Sequence, residues 1–120
     1  PEEHWKSEPE GPAFPAAVSY LSLVMKPSVV EKLVASLQSS GGLEHYKAKD
    51  IQRASNLELL PEDNKYVASD LNKVKEGRKL SPVRLVRGEP LVIADGYHRV
   101  CASYHLDENA DIPCRIVSRK

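Results

Sequence analysis

LVIADGYHRVCASYHL, residues 91–106, decides how this chain folds. Four apolar residues, Leu91 to Ala94, predict a buried strand. Asp95-Gly96 predicts a turn. Tyr97, Val100, Cys101 and Tyr104 then recur at helical spacing, so a helix runs to about His105. Asp95 is placed to cap that helix by accepting the N–H of Tyr97 or His98. The first helical turn presents free backbone N–H groups and the positive end of the helix dipole. His98 and Arg99 stand in that turn, where cations are disfavoured unless an anion offsets them. The combination predicts an anion site.

The strands and helices around this stretch follow from the same patterns. Val83 to Val86 reads as a strand, and Arg87-Gly88-Glu89-Pro90 as the turn of a hairpin with Leu91–Ala94. Ile112 to Val117 is a final strand after the polar loop Asp107–Ala110. Leu57 to Leu60 reads as a short strand before Pro61. Tyr66, Val67, Leu71 and Val74 mark an amphipathic helix that ends at Gly77. Tyr46, Ile51 and Ala54 face inward from a helix over Ala48–Ser55, closed by Asn56. Further forward, Phe14, Ala17, Val18, Leu21, Val24 and Met25 share one helical face. Pro27 stops that helix, because the residue before a proline is pushed out of the α region. Ser28 with Glu31 forms a capping box for a second helix. Val30, Leu33, Val34 and Leu37 are its stripe, and Ser39-Ser40-Gly41-Gly42 its end.

The expected fold is α+β: a small mixed sheet with helices, preceded by a helical extension. Residues 1–12 read as a flexible arm and residues 13–56 as helices packed on the core. Residues 57–117 read as the core itself, and the whole as one compact domain. At 120 residues, 41% hydrophobic and 28% charged, the composition suits a soluble globular chain. Zero net charge argues against a strong nucleic-acid field. Locally, Arg78, Lys79, Arg84, Arg87 and Arg99 outnumber Glu89 and Asp95, which predicts a basic surface beside the turn. The acidic, proline-rich start is unlike a signal peptide, and no apolar run would span a membrane. Cys101 and Cys114 read as reduced, buried thiols of a cytoplasmic protein.

Several residues invite a chemical reading. Asp95 is a candidate magnesium ligand beside a bound phosphate. His98, Cys101, His105 and Cys114 could be read as a zinc set, yet neither a CxxC knuckle nor an HExxH pattern is present. Tyr97 and Tyr104 fit the apolar stripe better than a catalytic role. Ser81 and Asn64 could offer a polar group to a ligand or serve as loop residues. Glu62 and Asp63 have no visible base partner.

Residues 57–117 resemble the ParB/sulfiredoxin-like superfamily. The resemblance rests on the strand Leu57–Leu60, the helix Tyr66–Glu76, the lead-in Leu80-Ser81-Pro82, the turn Asp95-Gly96-Tyr97-His98-Arg99, and Ile112-Pro113. It implies a nucleotide-binding domain whose phosphates sit on Gly96, Tyr97, His98 and Arg99, with Ser81 nearby. A nucleoside di- or triphosphate and magnesium are the implied ligands. A phosphotransferase or nucleotide hydrolase is the implied activity, with an acidic residue acting as base; Glu58 and Glu62 are the nearest candidates by position, and Asp95 is a further catalytic candidate. Sulfiredoxins carry their reacting cysteine where this chain has Tyr97, so that activity is not implied. The helix-turn-helix part that reads DNA in ParB proteins is not found after the closing strand. A DNA-associated or protein-interaction module is the alternative.

Overall fold

The computed structural model describes residues 5–6, 14–39 and 43–118. The order of elements is α1 (Phe14–Val24), α2 (Pro27–Ser39), β1 (Glu44–Lys47), α3 (Ala48–Ser55), α4 (Lys65–Lys75), β2 (Val83–Val86), β3 (Val92–Asp95), α5 (Tyr97–Leu106) and β4 (Asp111–Val117). The four strands form one sheet in the order β1-β4-β2-β3. β2 pairs with β3 as the predicted antiparallel hairpin and with β4 in parallel, and β1 pairs antiparallel with the other side of β4. The fold is therefore α+β with a mixed sheet, as expected. Among the described residues no helix is long and apolar enough to cross a membrane.

Side chains alternate across the sheet and divide the core into two faces. Val83, Leu85, Ile93, Ile112 and Cys114 pack with Ile51 of α3 and Val100 of α5. On the other face Val86, Ala94 and Val117 pack with Ala17 and Leu21 of α1 and Val30 and Leu33 of α2. The two front helices thus form a hairpin laid on the sheet. A third cluster, Val67, Cys101 and Ala102, joins α4 to α5.

Four expectations need correction. No strand forms over 57–60. Its carbonyls are taken by side chains instead: Gln52 Nε2 donates to Leu57 O at 2.6 Å, the Tyr97 hydroxyl donates to Glu58 O, and His105 Nε2 lies 2.7 Å from Leu60 O. A segment whose carbonyls are held by side chains has fewer left for a sheet ladder. The extra strand is β1, which lies before residue 57, so a core boundary at that position cuts through the sheet. The arm is not free where it is described: Trp5 is 5% exposed within the α3–α5 core, and Lys6 N donates to Leu80 O at 2.7 Å. Residues 1–4 and 7–13 lie outside the described residues. Finally, α2 begins at Pro27, one residue before Ser28. Lys26 O accepts from Val29 N and Val30 N, and a proline in the first turn has no N–H to leave unpaired.

Smaller differences concern single faces. Val24, Ala54 and Tyr66 are exposed, not part of the inward stripes. Asn64 caps α4, its Oδ1 accepting from Tyr66 N and Val67 N. Asn56 closes α3 in the left-handed conformation, at φ 57°, as its sequence position predicts. The side chain of Leu37 and residues 40–42 lie outside the described residues.

Trp5 is the only tryptophan in the chain, and its burial gives a direct test. Its fluorescence should be blue-shifted in the native protein and move red on unfolding. Trp5→Ala should lower the stability by about 3–5 kcal/mol in urea titrations. A loss below about 1 kcal/mol would show that the residue does not dock.

Candidate functional site: the first turn of α5

The site begins with a buried arginine. Arg84 lies on β2 and is 4% exposed. Burial pushes its guanidinium pKa down, and the neighbouring Asp95 carboxylate opposes that shift. A buried charge needs a partner of opposite sign. Asp95 supplies it through a bulge. In the β2–β3 ladder Leu85 pairs with Ile93 but Arg84 pairs with Asp95, so Ala94 is the extra residue. Strict alternation would turn Asp95 to the face of Ile93; the bulge brings it opposite Arg84. Arg84 Nη1 then reaches Asp95 Oδ2 at 3.2 Å. Arg99, one helical turn along, reaches the same oxygen with Nη2 at 2.8 Å.

This arrangement corrects the role of Asp95. It does not cap α5. The N-cap residue is Gly96, with φ 107° and no side-chain cap hydrogen bond. Gly96 is required there on two grounds. Its φ is in the left-handed region. A Cβ added to it would also lie 2.4 Å from Val83 Cγ1 and 2.8 Å from Arg99 Nη2. The turn is therefore packed down on β2, and the N–H groups of Tyr97, His98 and Arg99 open α5 without a side-chain cap.

α4 contributes residues that the sequence pattern did not single out. Asp70 is 8% exposed and paired with Lys73 at 3.8 Å. Burial pushes its carboxyl pKa up, while the charges of Lys73, Arg99 and His98 pull it down. Tyr66 presents an exposed ring whose centroid is 4.9 Å from that of His98, and Tyr97 lies on His98 at 5.5 Å. Asp70 stands three residues from Val67 on the inward stripe, and Arg84 interrupts the apolar run Val83–Val86. A charge inside an apolar pattern was the available signal for both.

The predicted site residues separate into those that meet and those that do not. Gly96, Tyr97, His98 and Arg99 form one turn beside Asp95. Tyr97 is tied to Glu58 O and is partly buried in the core, where burial pushes its phenol pKa up. Ser81 is buried on the lead-in to β2, two residues before the Val83 side chain that underlies Gly96. Glu62 is elsewhere: it lies 4.0 Å from His105 Nδ1, in the last turn of α5. The basic surface is smaller than its sequence suggests, because Arg84 is buried and Arg99 is mostly so.

Asp95 does not suit magnesium, because a cation at Oδ2 would face two guanidinium groups. Among the described residues no group of three or more His, Cys, Asp or Glu is placed to hold a metal. The zinc reading fails residue by residue. Cys101 and Cys114 are buried with no disulfide, and burial pushes the Cys114 thiol up to about 12. His105 is committed to Leu60 O.

Comparison with protein-family models, with curated proteins and with solved structures finds no match to this chain.

Two substitutions test the electrostatics. Asp95→Asn removes the carboxylate from between two guanidinium groups and should cost about 3–5 kcal/mol of stability. Asp70→Asn should do the reverse at neutral pH. The folded pKa of Asp70 lies above 3.8, so the folded protein keeps this proton where the unfolded chain releases it. The contribution of Asp70 is therefore fully present below 3.8 and is lost as pH rises through the folded value. Asp70→Asn should be more stable than the parent at pH 7, with the gap closing in acid. An unchanged or growing gap in acid would contradict that sign.

Proposed function

We propose that the first turn of α5 binds a phosphate group, and that the chain is a nucleotide-binding domain of ParB/sulfiredoxin-like type. The supporting observation is a helix start with no side-chain cap, at Gly96, held beside two guanidinium groups that share one carboxylate oxygen. Arg84, Arg99 and Asp95 together carry one net positive charge. Arg99 has five N–H donors, and Asp95 engages one nitrogen of its fork. Three backbone N–H groups and the helix dipole add to the attraction for an anion. The exposed ring of Tyr66 beside His98 is a surface on which a planar base can rest. The resemblance of the turn to that superfamily supports the same reading.

A phosphotransferase or nucleotide hydrolase is the enzymatic form of the proposal. In such chemistry this chain would act through positioning and charge neutralisation. Asp95 and Asp70 are the acids beside the turn, and Glu58 is tied to it through its backbone carbonyl, which accepts from the Tyr97 hydroxyl. The second reading is a protein-interaction module. It is favoured by the apolar end of α1, where Leu23 is 85% exposed beside Tyr20 and Val24.

Titration with inorganic phosphate, ADP, ATP and CTP, with and without magnesium, tests the binding reading. Saturable amide shifts should centre on Tyr97, His98 and Arg99 and weaken with added salt. Arg99→Lys keeps a cation near Asp95 but loses the fork, and should weaken binding about tenfold. Absence of any response to all four ligands would remove the proposal.

A further inference from the structure

At the opposite end of the sheet from the α5 turn lies a cavity of different chemical character from that turn. It has a volume of about 190 Å³ and opens between α3 and the far ends of β2, β3 and β4. Its floor is Leu85 and Ile116, its walls are Ile51, Ala54 and Leu91, and Tyr46 closes one side. α3 has 8 residues, about 12 Å of helix, and the cavity lies along its inner side. An apolar cavity of about 150 Å³ is enough for a benzene ring.

Two charged side chains line this cavity, Arg87 and Asp50. Asp50 is turned to Arg53 at 3.4 Å. Arg87 is held in a relay: Tyr46 Oη donates to Glu44 Oε1 at 2.8 Å and accepts from Arg87 Nη2 at 3.3 Å, with Glu44 Oε1 3.6 Å from the same nitrogen. Tyr46 thus does two things, forming an apolar wall and fixing the guanidinium beside the cavity. The other donors of the Arg87 fork remain available.

We propose that this cavity is a binding site for a small monocarboxylate with an apolar body about the size of one aromatic ring. The apolar body would sit on Leu85, Ile116 and Leu91, and the carboxylate would take the fork of Arg87. The site is independent of the α5 turn: Val83 and Arg84 of β2 stand beside Gly96 and Asp95, whereas Arg87 follows the other end of that strand.

Benzoate, benzamide and benzamidinium have nearly the same shape and differ in charge, so they test the proposal on the intact chain. The readout is the methyl shifts of Ile51, Leu85, Leu91 and Ile116. Benzoate should bind saturably and about three- to fivefold more tightly than benzamide at low salt, with benzamidinium weakest. Arg87→Gln should reduce benzoate to the level of benzamide. Ala54→Trp, at an exposed helix position, should block all three while leaving the remaining spectrum unchanged. The proposal is overturned if benzoate does not saturate, if benzamide or benzamidinium binds as tightly as benzoate, or if Ala54→Trp has no effect.

Discussion

The constraint on which the structure turns is the burial of Arg84. A guanidinium enclosed by a sheet and its covering helices requires a carboxylate within reach. The nearest residue in the ladder is Asp95, and regular alternation would turn it the wrong way. The bulge at Ala94 solves this, and it does so at the end of β3, where the chain must leave the sheet. Gly96 follows at once with a positive φ and no room for a side chain above Val83. α5 then begins, and its third residue, Arg99, returns to the same carboxylate oxygen. One ion cluster therefore sets the bulge, the turn and the start of the helix together.

The same cluster sets the electrostatic character of the α5 turn. Two arginines against one aspartate leave positive charge where the helix dipole is also positive. That arrangement is unfavourable for the protein alone and favourable for an incoming anion. Asp70 offsets part of it from α4, at the expense of burying a carboxylate whose pKa is pushed up. The α4–α5 contact thus carries opposing electrostatic terms on top of the apolar packing of Val67, Cys101 and Ala102. The cavity at Arg87 is built on different terms. Its charge is exposed and relayed through Tyr46, and its interior is apolar.

The segment 57–60 shows how side chains override a local pattern. Its apolar run and the following proline resemble a strand end. Gln52, Tyr97 and His105 bind three of its carbonyls from two helices, and Leu59 and Leu60 pack against the α4–α5 cluster. The strand beside β4 is Glu44–Lys47, whose pattern is mostly polar because it is a mostly exposed edge strand. Edge strands need little hydrophobic content, so their sequences carry a weak signal. Trp5 illustrates a related limit. A single aromatic residue in a polar, proline-rich stretch gives no period; its burial comes from the bridge to Leu80 and the core cluster it joins.

Local sequence determined the elements whose information is local. The hairpin of β2 and β3, the helix α5, the short helix α3 with its Asn56 closure and the front pair of helices all follow from apolar spacing, prolines and turn residues. These signals act over one or two helical turns and need no distant partner. Tertiary structure alone decided which charges are buried and what holds them. Arg84 and Asp95 are 11 positions apart, and Asp70 feels the charge of Arg99 only because α4 packs on α5. Burial, and with it the strength of every charge interaction, depends on the elements that close over a residue. Those elements come from parts of the chain that no local pattern connects.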